Sequence, residues 1–381
     1  MNDDDIEILT YSPEFKNGII ELQKYLWGED LLKNQKYFEW KHENNPYSAK
    51  PMVYACLSAG RVVGTTAFFG AKWLFGDPPQ LVSVPCAGDS VFHPDFRNKG
   101  LFRKLNELSI EDLRRKGYEY SFAFSAAPVT YYSFLLMGWR NLGKIRQSRW
   151  HTPPVSENAV RSMARKVPVL TKSYRYIKQA IGREEPIEHR RSNIFDNIDN
   201  QNLRVSNKIS SCIYVEKEPL PEEMAILVKQ NNKDSRIRHI RDSEYFSWRY
   251  QNPFSDYRFI YWKDKILEGY LVLRASTIRP SSTVQIVDWE ATRSEVQDDL
   301  FKAVVRLGNF KEIKIWTETY SENTLKELSK YGFELLTDVS NPSFLIKNIQ
   351  YNDDQFNGIA KNRQFTDLSN WDLRAIYSDY L

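Results

Sequence analysis

Cysteine is scarce in this sequence. Cys56, Cys86 and Cys212 stand far apart in strand-like apolar runs with no CxxC spacing, which excludes a disulfide framework and a thiolate metal centre and leaves three core residues. The five histidines, His42, His93, His151, His189 and His239, form no HExxH or related pair, so no metal is expected. Long apolar runs are missing too: the longest are strand-sized, far short of the roughly 20 residues that span a bilayer. The opening "MNDDDIEIL" is acidic where a secretory signal is basic, and a cytoplasmic location is the expectation. A strong charge of one sign is also absent, since a net +4 over 381 residues gives little support to nucleic-acid binding.

What the chain has is core-building material. A hydrophobic fraction of 41% and an aromatic fraction of 14% describe a globular protein, and its length suits two domains better than one core. Charge is concentrated in one place. From Arg161 to Arg191 nine Lys or Arg residues face three Glu, and Val160, Met163, Val167, Leu170, Tyr174, Ile177 and Ile181 fall at helical intervals. This describes a basic amphipathic helix, broken near Pro168. Two readings stay open for 161–191: a solvated face packed across a domain boundary, or contact with an anionic acceptor or a membrane surface.

The first 150 residues alternate strand and helix patterns. "IEILTY" reads as a strand, Pro13 to Trp27 and Leu31 to His42 as helices, and "MVYACLSAGRVVGTTAFFGAKWLF" as two strands turning at Ala59-Gly60. "LVSVPCAGDSVF" is a strand, Leu101 to Lys116 a helix, "YEYSFAF" a strand, Val129 to Met137 a short helix and "NLGKIRQSRWHT" one final strand. The order points to a mixed α/β domain rather than a repeating βαβ wind. The prolines of "HTPPVS" end it.

The order then repeats. "YFEWKHENNPY" (Tyr37 to Tyr47) recurs as "YFSWRYQNPF" (Tyr245 to Phe254), and each copy precedes two strands, the second containing Gly64 or Gly269. "SENTLKELSKYGFE" answers the earlier "APVTYYSFLLMGWR". The chain reads as a duplicated domain, with units at 1–152 and 205–348, a basic linker at 153–204 and a tail at 349–381. The copies differ at one place: the first has "HPDFRNKGLF", the second "EATRSEVQDDLF", without glycine and with carboxylates in and around the turn.

A strand-to-helix turn exposes unpaired backbone N–H groups where the helix dipole is positive, and phosphates bind there. Gly100 lets the backbone approach an oxyanion closely, and Arg97 and Lys99 add positive charge. Leu101, Leu105, Leu108 and Leu113 give the helix an apolar stripe that fixes it on a sheet.

At this turn the sequence resembles the GNAT superfamily of acyl-coenzyme A dependent N-acyltransferases, whose signature Q/RxxGxG/A stands here as Arg97, Asn98, Lys99, Gly100, Leu101, Phe102. The resemblance covers the chain as two tandem copies, an arrangement similar to that of the enhanced intracellular survival and polysaccharide-associated acetyltransferases. It implies a mixed α/β (α+β) fold of two tandem GNAT-like domains, each a mostly antiparallel mixed sheet flanked by helices. Backbone amides from Arg97 to Phe102 would bind the pyrophosphate of acetyl-coenzyme A, Val91 and Phe92 would pair with its pantetheine arm, and Thr130 and nearby tyrosines would line the thioester. Phe102 departs from the usual Gly or Ala.

Acyl transfer to an amine needs a base, an N–H donor for the developing oxyanion and an acid for the thiolate. Asp89, after Gly88, is the candidate base, with a carboxylate satisfied by backbone N–H groups at a strand bulge as the other reading. The family's acid tyrosine falls at Phe134, so Tyr131 or Tyr132 is the candidate acid. The survival-type relatives suggest the terminal carboxylate of Leu381 as a further base. The expected activity is acetyl-CoA dependent N-acetylation of a small-molecule amine, with an amino sugar of a surface polysaccharide as the family analogy. Two alternatives remain: a Fem-type aminoacyl transferase, or a non-catalytic GNAT-like protein.

Overall fold

The computed structural model describes residues 6–125, 127–152, 194–195, 198, 212–232, 234–307, 310–336, 341–350, 359–360 and 363–378. The basic segment 161–191, most of the expected linker and Leu381 lie outside the described residues.

The first half runs β1 (Ile6–Thr10), α1 (Lys16–Trp27), α2 (Leu31–Phe38), β2 (Met52–Ser58), β3 (Arg61–Phe75), β4 (Gln80–Phe92), α3 (Leu101–Arg115), β5 (Tyr120–Ser125), α4 (Pro128–Leu136), β6 (Arg140–Lys144) and β7 (Gln147–His151). The second half repeats the order as β8 (Ile213–Glu216), α5 (Pro221–Asn231), β9 (Ile237–His239), α6 (Ser243–Arg249), β10 (Ser255–Lys263), β11 (Leu267–Ser276), β12 (Thr283–Ala291), α7 (Ser294–Leu307), β13 (Glu312–Trp316), α8 (Glu322–Lys330), β14 (Glu334–Leu335) and β15 (Ser343–Asn348). The tail carries the short strands β16 (Ile359–Ala360), β17 (Arg363–Gln364) and β18 (Trp371–Asp372). No helix among the described residues is long and apolar enough to cross a membrane.

Local chemistry sets several of these boundaries. Ala59 and Gly60 both take positive φ, +48° and +73°, the geometry a two-residue hairpin loop needs to follow strand twist. Asp30 caps α2 by accepting from the Lys33 N–H at 3.0 Å, and Asp242 caps α6 by accepting from the Tyr245 N–H at 2.8 Å.

The strands form two mixed sheets. The first has the order β1-β2-β3-β4-β5-β15-β6, with β9 on β3 and β18 on β9; the second has the order β14-β7-β13-β12-β11-β10-β8. Pairing is antiparallel except at β4/β5, β12/β13 and β9/β18. The halves therefore exchange strands: besides β9, the second half lends β15 to the first sheet, and the first half lends β7 to the second. β15 fills the gap between β5 and β6, and β7 fills the matching gap between β13 and β14. "NLGKIRQSRWHT" is accordingly two strands, not one. The chain crosses between sheets at Ile145 and Arg146, where Ile145 is fully buried and donates to the Pro342 carbonyl at 2.8 Å. Arg146 is drawn to the second sheet by Glu318, its Nε 2.8 Å from the carboxylate.

The repeated aromatic segment forms the junction. The Trp40 and Trp248 rings stack at 5.0 Å and 11°, and each indole N–H donates to the other's carbonyl, at 2.8 and 2.7 Å. Tyr37 stacks on Phe254 at 4.0 Å, and its counterpart Tyr245 stacks on Tyr47 at 5.8 Å. Asn45 and Asn252 each accept from the N–H two residues on, at 2.8 and 2.9 Å. The two halves thus meet through matching residues on either side of a local pseudo-twofold relation. The tail completes this core: Trp371 is wholly buried against Trp73, Phe75, Phe122 and Phe344 of the first sheet.

A fragment comprising residues 1–152 lacks β15, whose Phe344 and Ile346 are buried in the shared core. It is expected to show no cooperative thermal transition and no near-ultraviolet dichroism, because β5 and β6 lose their common partner. A cooperative melt of the isolated fragment would contradict the exchange.

Candidate active site at the opening of the first sheet

The turn singled out in the sequence lies where β4 passes into α3. A 3₁₀ turn at Pro94–Phe96 is followed by Arg97, Asn98, Lys99 and Gly100, all exposed. Asn98 and Gly100 take left-handed φ of +62° and +72°. Gly100 is the N-cap of α3, no side chain caps that end, and a Cβ built on Gly100 meets nothing within 4 Å. Glycine is needed here for its φ, and the space beside it is open. Arg97 is tethered, its Nε donating to the Phe92 carbonyl at 3.0 Å and its guanidinium 5.7 Å from the Tyr25 ring. Lys99 sits 4.9 Å over Phe96.

The helix behind the turn is firmly mounted. Leu101, Leu105, Ile110 and Leu113 are buried beneath it. Phe102, the departure from the family signature, packs sideways between Phe92 and Phe134, with centroids 6.4 and 6.0 Å away. It fills the seam between α3 and α4. Val91 is buried, pairs with Thr65 and packs toward α1, so its main chain is the part on the strand's edge.

Beside this turn the sheet opens. Among the described residues β4 and β5 pair at one position only, Cys86 opposite Phe122. Just beyond it β4 bulges: Gly88 faces Ala67 and Val91 faces Thr65, so Asp89 and Ser90 together oppose Thr66. Asp89 has a φ of +52°, rare for a residue with a side chain. The residue as a whole is half-buried while its side chain is only 3% exposed, so the part open to the cleft is its main chain.

The Asp89 carboxylate points away from the opening. It accepts from Lys41 Nζ at 2.9 Å and meets His42 Nε2 at 3.2 Å, both residues buried in the π-helical turn Glu39–Glu43 that follows α2. Burial pushes the carboxyl up, but the Lys41 ammonium and the His42 ring outweigh it and hold the group well below the usual carboxylate range. A carboxylate so placed has little affinity for a proton near neutrality. Lys41 and His42 gave no signal in the sequence beyond membership of the repeated segment.

On the other wall, Thr130 lies in the first turn of α4, which Pro128 opens. Tyr131 packs partly against the α3 core, whereas Tyr132 is 63% exposed and meets Tyr131 edge-on at 5.2 Å. Phe134, at the family's acid position, is buried against Trp139 at 4.5 Å. Leu381 cannot be placed, lying outside the described residues.

The second half holds the same framework with a different filling. Gly269 faces Ala291 as Gly64 faces Phe92, so Asp288 stands where Asp89 stands. Its strands also part after Ile286 and Ile315. Into that opening comes the tail: Arg374 donates to the Trp289 carbonyl, Leu373 N–H donates to Thr319 Oγ1 at 3.1 Å, and Arg374 pairs with Asp288 at 3.1 Å and Glu290 at 2.9 Å. Arg241 joins Asp288 at 2.7 Å and Glu290 at 2.6 Å. This opening is sealed by protein, and the turn after β12 has no glycine.

Asp89→Asn removes the carboxylate that Lys41 and His42 both meet, and the general cost of breaking a buried ion pair is about 3–5 kcal/mol. Because the folded carboxyl titrates below its unfolded value near 4, the stabilisation is complete above that pH and fades as pH falls through the lower folded value. Melting of parent and variant should therefore differ widely at pH 7 and 5 and less at pH 3. A gap independent of pH would remove the carboxylate as its source.

Residues 7–140 match the acetyltransferase (GNAT) domain, while no curated protein matches the chain. Among solved structures the chain is similar to a GCN5-related N-acetyltransferase from Anabaena variabilis, with a TM-score of 0.57 and 11% identity over 90% of this chain and 73% of that one. It is similar also to a conserved protein of unknown function from Enterococcus faecalis (TM-score 0.56, 11% identity, 91% and 74% covered). A GCN5-related N-acetyltransferase from Kribbella flavida gives a TM-score of 0.52 at 10% identity, with 91% and 72% covered. At these identities the likeness is one of fold, and it extends across both halves. Residues 7–140 are thus a GNAT acetyltransferase domain, and the second half holds a like framework whose sheet parts at the matching place.

Proposed function

We propose that this protein is an acetyl-CoA dependent N-acetyltransferase acting on the primary amine of a small molecule. The observation that carries this reading is the contrast between the two halves: an open, uncapped helix start with Gly100 in the first, and a sealed opening in the second. The features of the first half fit the donor. The main-chain N–H groups from Arg97 to Phe102 suit a pyrophosphate, with Arg97 and Lys99 supplying charge. The stretch Val91–Phe92, beyond the last pairing of β4 with β5, suits an extended pantetheine arm, and Thr130 in the first turn of α4 suits the thioester.

An acyl-CoA supplies an activated acyl carbon with a thiolate leaving group: a C–S bond breaks, a C–N bond forms, the amine releases a proton and the thiolate takes one up. What the chain adds is orientation and charge stabilisation. The exposed main chain of the Asp89–Ser90 bulge is the N–H source for charge developing on the acyl oxygen. Of the two roles the sequence left open for Asp89, its pairing supports the anchor at the bulge over the base. Tyr131 and Tyr132 are the hydroxyls at hand for proton delivery. The acceptor is a small amine, with amino sugars the first class to screen, and a donor of this kind places the reaction in the cytoplasm.

Calorimetric titration tests the reading. The parent should bind acetyl-CoA, and Gly100→Glu, which sets a side chain and a negative charge where the pyrophosphate lies, should weaken binding by about a hundredfold or more, roughly 3 kcal/mol. Equal binding by the two proteins would mean that the turn is misassigned. A parent that binds no acetyl-CoA would favour a Fem-type aminoacyl transferase or a non-catalytic role.

A further inference from the structure

Two buried titratable residues, Lys41 and His42, take no part in binding or chemistry as set out above, yet they are the side chains that fix Asp89. Three consecutive residues, Trp40, Lys41 and His42, are 5%, 1% and 2% exposed. An ordinary helical turn would spread them over more than half its circumference. They lie in a π-helical turn, closed by the Asn44 N–H on the Glu39 carbonyl at 2.8 Å. Such turns are rare and recur at functional sites.

The geometry of Asp89 gives this turn a task. A left-handed φ at a residue with a side chain persists only where its surroundings hold it. Here the holding contacts are Lys41 Nζ at 2.9 Å and His42 Nε2 at 3.2 Å, both on the same oxygen, Oδ2. Lys41 is itself fixed by the Tyr37 hydroxyl at 3.1 Å and by the Tyr37 and Phe69 rings at 5.3 and 5.1 Å. Pulling the carboxylate inward turns the main chain of the same residue outward, and that main chain is what the opening between β4 and β5 exposes.

We propose that Lys41 and His42 are positioning residues for acyl transfer, clamping the Asp89 carboxylate so that the main chain of the Asp89–Ser90 bulge is presented to the acyl oxygen. The proposal rests on the acyl-CoA reading and adds to it a pair of residues from another element. The turn that carries them is mounted through Trp40 on Trp248 of the second half. The second half thereby contributes to the order of a cleft that it does not line with Trp248 itself.

The test uses the full chain and three titrants: coenzyme A, acetyl-CoA and S-ethyl-CoA, a thioether of the same length without the carbonyl. The parent should prefer acetyl-CoA over S-ethyl-CoA by about three- to tenfold, the usual worth of one net hydrogen bond. In His42→Gln and Lys41→Met the preference should fall toward one, while coenzyme A affinity stays within about twofold of the parent. Lys41→Arg should restore most of it, since Arg249 occupies the matching place in the second repeat. Where Lys41→Met does not fold, Lys41→Met/Asp89→Asn removes both charges together and is titrated instead. Variants that melt lower but keep the parent's preference would overturn the proposal, leaving a purely structural pair. A parent that binds all three titrants equally would overturn it while the acyl-CoA reading stands, and a parent that binds none would remove both.

Discussion

The stacked pair Trp40 and Trp248 is the contact on which the molecule's organisation depends. Each ring is an apolar wall for the other half and each indole N–H satisfies the opposite carbonyl, so neither tryptophan can be buried properly without its counterpart. From it the flanking pairs Tyr37 with Phe254 and Tyr47 with Tyr245 follow as matched consequences. The cleft-forming face of the first sheet then lies against the second half, and the tail threads the remaining space with Trp371.

The two halves hold one framework with different fillings. The first keeps a glycine at the helix start and an opening that no described residue of the tail enters. In the second, Arg241 and Arg374 share Asp288, Glu290 and Asp372 in a network with side chains at most 10% exposed. Burial raises Asp288 despite both arginines, while the arginines pull Glu290 and Asp372 down. Such a network suits rigidity and register more than net stability, because desolvation offsets much of the attraction. In the second copy the opening is a joint between sheet and tail.

Much of this was legible in the sequence where the signal is local. The repeat shows because aromatic residues at fixed spacing are needed on both sides of one junction. The turn at Arg97 to Gly100 shows because a left-handed helix start demands glycine. The strand exchange does not show: "NLGKIRQSRWHT" carries an unbroken strand pattern, its glycine precedes the crossing, and sheet membership is set by partners some 200 residues away. Asp89 was visible beside Gly88 as a residue at a bulge, but its role hangs on Lys41 and His42, which lie 48 and 47 positions earlier and reach it only in the folded sheet. Sequence alone left a catalytic base and a structural carboxylate both open; the fold turns the carboxylate toward Lys41 and His42.

The exchange of β7 and β15 also bears on how the protein comes into being. A ribosome delivers β5 and β6 roughly 200 residues before it delivers β15, an interval of about 10–40 s at the usual speed of synthesis. Throughout it the first sheet has a gap bordered by two unpaired edges, with Phe122 and Phe124 lacking Phe344, and such edges invite pairing with other chains. The nascent amino-terminal half is therefore the aggregation-prone species, and its maturation is timed by the emergence of the carboxy-terminal strand.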